Sequence, residues 1–106
     1  RAVIGLTLIN VYMYIYTNAI KVWARSSHPK SGERAEKMLQ TMVSSDDPLV
    51  RPNIYTFTAA LDALLANQES YPFDAKLFLE MMKEAGVKPD KVIHLKVLKA
   101  LEEQGK

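Results

Sequence analysis

The chain contains no cysteine, and this absence removes several classes of site at once. Without thiols there is no disulfide scaffold, no thiolate zinc site and no cysteine nucleophile. Histidine is nearly as scarce: only His28 and His94 occur, and neither has an aspartate or serine at catalytic spacing. There is no Gly-rich phosphate loop, and no carboxylate–histidine cluster has metal-ligand spacing. The sequence therefore predicts a protein that is not an enzyme and that uses no metal or cofactor.

A strong charge of either sign is also missing. The chain has 14 basic and 12 acidic side chains in 106 residues, a net charge of +2. This mild excess permits a nucleic-acid partner without demanding one. The length allows one small domain or a few repeat units. Because the chain opens on Arg1 and not on methionine, we interpret it as a piece of a longer protein.

Residues 2–20 form the one long apolar stretch, AVIGLTLINVYMYIYTNAI. It is long enough to span a bilayer. However, Asn10 and Asn18 interrupt it, and its three tyrosines are spread through its second half, not gathered at an interface. We therefore expect a buried strand or helix from a preceding unit, with a transmembrane helix as the alternative.

From residue 14 onward, apolar residues recur at intervals of three and four, which predicts five amphipathic helices. Breaks of Pro, Gly and polar residues separate them, and Gly86 suits a left-handed helix end. No convincing period-two alternation follows residue 16, so the predicted class is all-α. The five apolar stripes are Tyr16, Ala19, Ile20, Trp23 and Ala24; Ala35, Met38, Leu39 and Met42; Phe57, Ala60, Leu61, Leu64 and Leu65; Ala75, Phe78, Leu79 and Met82; and Ile93, Val97, Leu98 and Leu101.

The helical runs repeat one another, at offsets of 41, 40 and 37 residues. Tyr14 falls on Tyr55, Ala35 on Ala75, and Pro52-Asn53 on Pro89-Asp90. By the same register His94 falls on Phe57, so we expect its side chain in the interior. We assign residues 13–53 and 54–90 to two repeats, 91–106 to the first helix of a third or a C-terminal cap, and 1–12 to a remnant of a preceding segment or an N-terminal cap. Stacking of such hairpins predicts an α-solenoid with a concave side.

Two runs carry a resemblance to a known family. They are RPNIYTFT at residues 51–58 and AKLFLEMMKEAGVKPD at residues 75–90. The pattern resembles the pentatricopeptide repeat (PPR) more closely than its tetratricopeptide relative, with longer loops than usual, over residues 13 to about 104. The resemblance implies binding of single-stranded RNA at about one base per repeat, in mitochondria or chloroplasts, in RNA metabolism or translation.

The resemblance also implies roles for particular residues. The base-reading pairs would be Thr17 with Asn53 and Thr58 with Asp90, which by the family's code would read 5′-A-G-3′. Leu95 takes the place of the threonines in the third unit and cannot hydrogen-bond a base. The remaining implied contacts are stacking by Tyr14, Tyr55 and Val92, and phosphate binding by Arg25 and Lys21.

Other interpretations of the same residues stay open. Both threonines could bond local backbone, and Asn53 and Asp90 are good helix N-caps. The tyrosines could simply pack. At the level of function, helical repeats also bind proteins or serve as architectural subunits of large organellar complexes. A steep loss of binding with salt would distinguish an RNA ligand from a protein one.

Overall fold

A computed structural model describes residues 2–26, 28–47, 50–66 and 68–104, with side chains from Tyr14 onward. These residues form five helices and no strand, which confirms the predicted all-α class. The helices are α1 (Ala2–Arg25), α2 (Ser31–Ser44), α3 (Ile54–Ala66), α4 (Ala75–Ala85) and α5 (Lys91–Gln104).

The apolar opening stretch belongs to α1, a continuous helix of 24 residues. The helix crosses the predicted boundary between residues 12 and 13 without a break. Within the described part of the chain, no helix is both long and apolar enough to pass through a membrane. Arg1, Gly105 and Lys106, which belong to the predicted outer segments 1–12 and 91–106, lie outside the described residues.

Local chemistry sets both limits of α4, and the helix end predicted at Gly86 is confirmed. Asp74 is the N-cap of α4, and its carboxylate accepts a hydrogen bond from the Leu77 amide at 3.1 Å. Gly86 ends the same helix in the left-handed conformation with φ 73°, and its amide bonds the Lys83 carbonyl. The Val87 amide then bonds the Met82 carbonyl at 2.9 Å, which satisfies another orphan carbonyl of the last turn.

The core lies around α3. This helix packs against both α1 and α2, while α4 packs along α2 and α5 along α3. Phe57 of α3 meets Phe78 of α4 edge to face, with ring centroids 5.7 Å apart. The molecule is elongated, with extents of 54 × 27 × 21 Å. The buried apolar side chains are Ile20, Ala35, Leu39, Met42, Phe57, Ala59, Ala60, Leu61, Ala63, Leu64, Phe73, Phe78, Met81, Met82, Ile93, Val97 and Ala100.

One prediction of burial is wrong, and three leucines of the predicted apolar stripes are also uncovered. Leu79, Leu98, Leu101 and His94 are exposed. Phe57, the residue that His94 matches in the predicted register, is covered by Phe78, whereas the side chain of His94 is exposed. Burial depends on the neighbouring helix as well as on the position within a repeat, and the sequence pattern reports only the position.

A buried carboxylate ties α2 to the loop before α4. Glu36 is almost fully buried, and the hydroxyl of Tyr71 donates a hydrogen bond to it. The hydrogen bond to this carboxylate raises the pKa of Tyr71 to about 12, because ionisation of the phenol would break it; burial and repulsion between a phenolate and the Glu36 carboxylate add to the shift. Among the described residues every buried side-chain polar atom has a hydrogen-bond partner, so the core carries no unsatisfied group.

Candidate nucleic-acid interface

An open groove of about 480 Å³ runs between α1 and α3. Four residues that were predicted to contact RNA line its two sides: Lys21 and Arg25 on α1, and Tyr55 and Thr58 on α3. The small side chains of Ala24 and Ala59 and the carboxylate of Asp62 complete the lining. Four of the nine residues that were predicted to touch RNA therefore meet at one surface feature.

The groove has a positive balance of charge. Its one carboxylate, Asp62, forms an ion pair with Lys96 of α5. Lys21 and Arg25 are exposed on the opposite wall. Because Lys96 offsets the charge of Asp62, the two α1 cations set the local potential.

The charge is also unevenly distributed when whole helices are compared. The α1 helix carries two basic side chains and no acidic one, and α5 carries three lysines against two glutamates. By contrast, α2 and α4 each carry two acidic and two basic side chains. The excess positive charge of the helices therefore lies on the α1, α3 and α5 side of the molecule.

The predicted stacking residues are exposed at the surface. Tyr14 is 70% and Tyr55 71% exposed, and Val92 is 49% exposed. A tyrosine that packed as a core residue would be covered, so exposure favours a contact role over the packing alternative. Only Tyr55 lines the α1–α3 groove, whereas Tyr14 and Val92 lie outside it.

The first predicted base-reading pair is joined inside the protein. The hydroxyls of Thr17 and Thr56 lie 2.8 Å apart, and Thr56 in turn donates to the Asn53 carboxamide oxygen at 3.0 Å. The side chain of Thr17 is only 8% exposed. Thr17 and Asn53 are therefore linked through Thr56. The hydroxyl of Thr17 is already hydrogen-bonded inside the protein.

Asn53 also caps α3 in a reciprocal arrangement. Its carboxamide oxygen accepts from the Thr56 amide at 2.9 Å, and its own amide donates to the Thr56 hydroxyl at 3.2 Å. Two orphan amides of the helix start are satisfied by this exchange. The capping interpretation of Asn53 is confirmed, and the sequence signal that could have revealed Thr56 is its place three residues after the cap.

The second predicted pair is more accessible. The Thr58 hydroxyl donates to the Ile54 carbonyl at 2.8 Å, which leaves its lone pairs available at the α1–α3 groove that it lines. Asp90 is exposed and caps α5, with one carboxylate oxygen accepting from the Ile93 amide at 2.9 Å. Its second carboxylate oxygen is not used by that cap.

A second groove, of about 290 Å³, lies between α3 and α5 and includes two lysines that sequence reasoning missed, Lys96 and Lys99. The internal register contains a signal for one of them: offsets of 41 and 37 place Lys21, Asp62 and Lys99 at the same position of successive units. No group of three or more His, Asp or Glu residues in the described chain is placed to hold a metal ion. No family model, no curated protein and no solved structure matches this chain.

Proposed function

We propose that the protein binds single-stranded RNA along the surface formed by α1, α3 and α5. The observation that carries this proposal is the α1–α3 groove, where two cations and an exposed aromatic ring line the same open space. Cations that track a phosphate backbone, combined with aromatic rings for base stacking, are the general means of binding single strands. A groove open to solvent also admits a continuous strand.

In this arrangement the phosphates lie near Lys21 and Arg25 on the α1 wall. A base stacks on Tyr55, whose ring is exposed and whose helix is fixed by the core. Thr58 on the same side of the groove then offers the lone pairs of its hydroxyl oxygen to a donor on the base edge. Each stacked base contributes roughly 1–3 kcal/mol, so this one groove gives weak binding by itself.

Base selectivity, on this proposal, belongs mainly to the second repeat. Thr58 and Asp90 keep acceptor atoms that their local bonds do not consume. The hydroxyl of Thr17, by contrast, is hydrogen-bonded to that of the buried Thr56. We therefore expect a preference for guanine at the base beside Tyr55 and little discrimination at the base assigned to Thr17 and Asn53.

The wider setting follows from the sequence resemblance and is part of the same proposal. We propose a PPR-type α-solenoid in which residues 13–53 and 54–90 are successive units, acting on organellar transcripts in a mitochondrion or chloroplast. Supporting it, α3 packs against both helices that precede it, as the first helix of a stacked unit would. The runs at residues 51–58 and 75–90 supply the rest of the support.

The test is fluorescence anisotropy with short single-stranded RNAs at several salt concentrations. Affinity should fall as salt rises, and Lys21→Ala and Arg25→Ala should each reduce the log–log slope by about 0.7, because each removes one cation that neutralises a phosphate. Tyr55→Ala should weaken binding by roughly 1–3 kcal/mol at all salt concentrations, whereas Tyr55→Phe should preserve it. All these side chains are exposed, so folding should be unaffected.

A matched control is available on the other side of the molecule. Lys76→Ala with Lys83→Ala removes two exposed positive charges from α4 and should leave the salt slope unchanged. If this pair reduced the slope as much as the α1 changes, binding would follow overall charge and not the groove. Binding that was independent of salt and of Tyr55 would refute the proposed function.

A further inference from the structure

An open groove of about 450 Å³ lies between α1 and α2 and shares no lining residue with the α1–α3 groove. None of the described residues that line it is acidic. Three of them are partly buried and pack against the core, so they form a fixed apolar floor, while the other three are exposed. The floor of this α1–α2 groove is Tyr16, Trp23 and Met38, and its exposed residues are Arg34, Lys37 and Thr41.

Two cations of α2 give the α1–α2 groove its charge. Arg34 and Lys37 lie three residues apart, which places them on the same face of the helix. The α2 helix also has two carboxylates, but Glu36 is buried and hydrogen-bonded by Tyr71, and Glu33 does not line the groove. The lining therefore combines an apolar floor with a net positive charge, which is complementary to an apolar ligand that carries anions.

Arg34 is held in a position that suits a carboxylate better than a nucleic-acid base. Its Cζ atom lies 5.1 Å from the centroid of the Trp23 ring, and His28 meets the same ring edge to face at 5.9 Å. A base could stack on the face beneath the guanidinium only by displacing it, whereas Tyr55 in the α1–α3 groove is 71% exposed. A stacked guanidinium keeps the N–H groups of its edge for a bidentate carboxylate.

The α1–α2 groove also differs from the surface by which α4 packs on α2. On α4, Leu77 and the buried Met81 lie beside Val43 of α2. At an offset of 40 residues, the same positions of α2 are the exposed Lys37 and Thr41. A further hairpin that packed on α2 in this way would have to bury an ammonium group, which is costly. A partner with its own negative charge avoids that cost.

We propose that the α1–α2 groove is a docking site for an acidic segment of a partner protein. A large apolar side chain of the segment packs on the floor, and flanking carboxylates bind Arg34 and Lys37. The groove is open to solvent and does not enclose a ligand as small-molecule sites do, so it suits a segment that passes across it. This proposal does not depend on the proposed RNA function.

The test is a titration of the chain with a short synthetic peptide in which leucine and phenylalanine are flanked by glutamates. Trp23 is the only tryptophan of the chain, so its fluorescence and its indole N–H signal report on this groove. We expect a saturable change in both signals, with an affinity that falls as salt rises. A peptide with serine in place of leucine and phenylalanine keeps the charge and should bind about tenfold more weakly, because nothing then packs on the floor.

Two charge reversals make the result specific. Lys37→Glu should weaken binding of the acidic peptide by about fivefold or more, since it replaces an attraction by a repulsion. Lys76→Glu on α4 makes the same change in net charge outside the groove and should alter the affinity less than about twofold. Both lysines are exposed, so thermal unfolding of the two variants should match that of the parent.

Four outcomes would overturn the proposal. The first is the absence of a saturable Trp23 signal with the acidic peptide. The second is an equal effect of Lys37→Glu and Lys76→Glu, because binding would then follow overall charge. The third is equal affinity for the serine peptide, which would leave the apolar floor without a role. The fourth is a Trp23 signal that responds to single-stranded RNA and not to the peptide, which would assign this groove to nucleic acid.

Discussion

Tyr71 shows how one side chain holds a loop in place. Its hydroxyl donates to the buried carboxylate of Glu36, which raises the pKa of Tyr71 to about 12. The folded-state value lies above the ordinary value of about 10. The stabilisation that this hydrogen bond gives the folded state is therefore fully present below pH 10, and it is lost as the pH rises through 12.

We predict that the alkaline titration of tyrosinate absorbance has a late step with a pKa of about 12. Tyr71→Phe should remove that step. The same variant should also lose stability below pH 10, because Glu36 would keep its burial without this donor. A late step that survives in Tyr71→Phe would contradict the assignment.

At the residue scale, sequence reasoning succeeded where a side chain acts on its own helix. The capping role of Asn53 could be predicted because the N-cap pattern is local. The hydrogen bond between Thr17 and Thr56 could not be predicted, because it joins residues 39 positions apart and depends on how closely α1 approaches α3. The hydrogen bond from Tyr71 to Glu36 was missed for the same reason: it crosses between elements.

At the scale of the element, α4 is the helix whose limits are most completely explained by local chemistry. Asp74 begins it, and Gly86 ends it with φ 73°. A Cβ at position 86 would meet no atom within 4 Å, so an alanine there would clash with nothing. The effect of a substitution on stability is then the conformational free energy of holding a non-glycine residue in the left-handed region.

We predict that Gly86→Ala lowers the free energy of unfolding by about 1 kcal/mol, as measured by urea denaturation. Gly86→Asn should lower the free energy of unfolding by less, because asparagine tolerates the left-handed conformation better than alanine does. Asp74→Ala should cost about 0.5–2 kcal/mol by removing the N-cap. A Gly86→Ala protein as stable as the parent would mean that the helix end rearranges to avoid positive φ.

Helix limits and apolar stripes were predictable, but not which stripe would be covered. Leu61 and Leu98 occupy equivalent positions, yet only Leu61 is buried. Periodicity identifies the face that a helix can bury, and a second element must be present to bury it. The α5 helix has the expected stripe, and Ile93 and Val97 are buried where α5 packs, while Leu98 is left open.

At the scale of the whole molecule, stability should be concentrated in α3. This helix contacts α1, α2 and α5, and its Phe57 contacts α4. Seven of its 13 residues are buried, against three of 14 in α5. In a stack of helices each helix is stabilised by contacts with its neighbours. The central helix therefore unfolds only after the helices around it have detached.

We therefore predict that hydrogen exchange is slowest in α3 and occurs there through global unfolding, with a steep dependence on denaturant. The amides of α5 should exchange faster and respond weakly to denaturant, because this helix detaches locally. Leu61→Ala should lower the protection of α3 by about 2–5 kcal/mol, since it opens a cavity in the core. Leu98→Ala should stay within about 0.5 kcal/mol of the parent, because that side chain is half exposed. Equal protection in α3 and α5 would show that the five helices unfold as one unit.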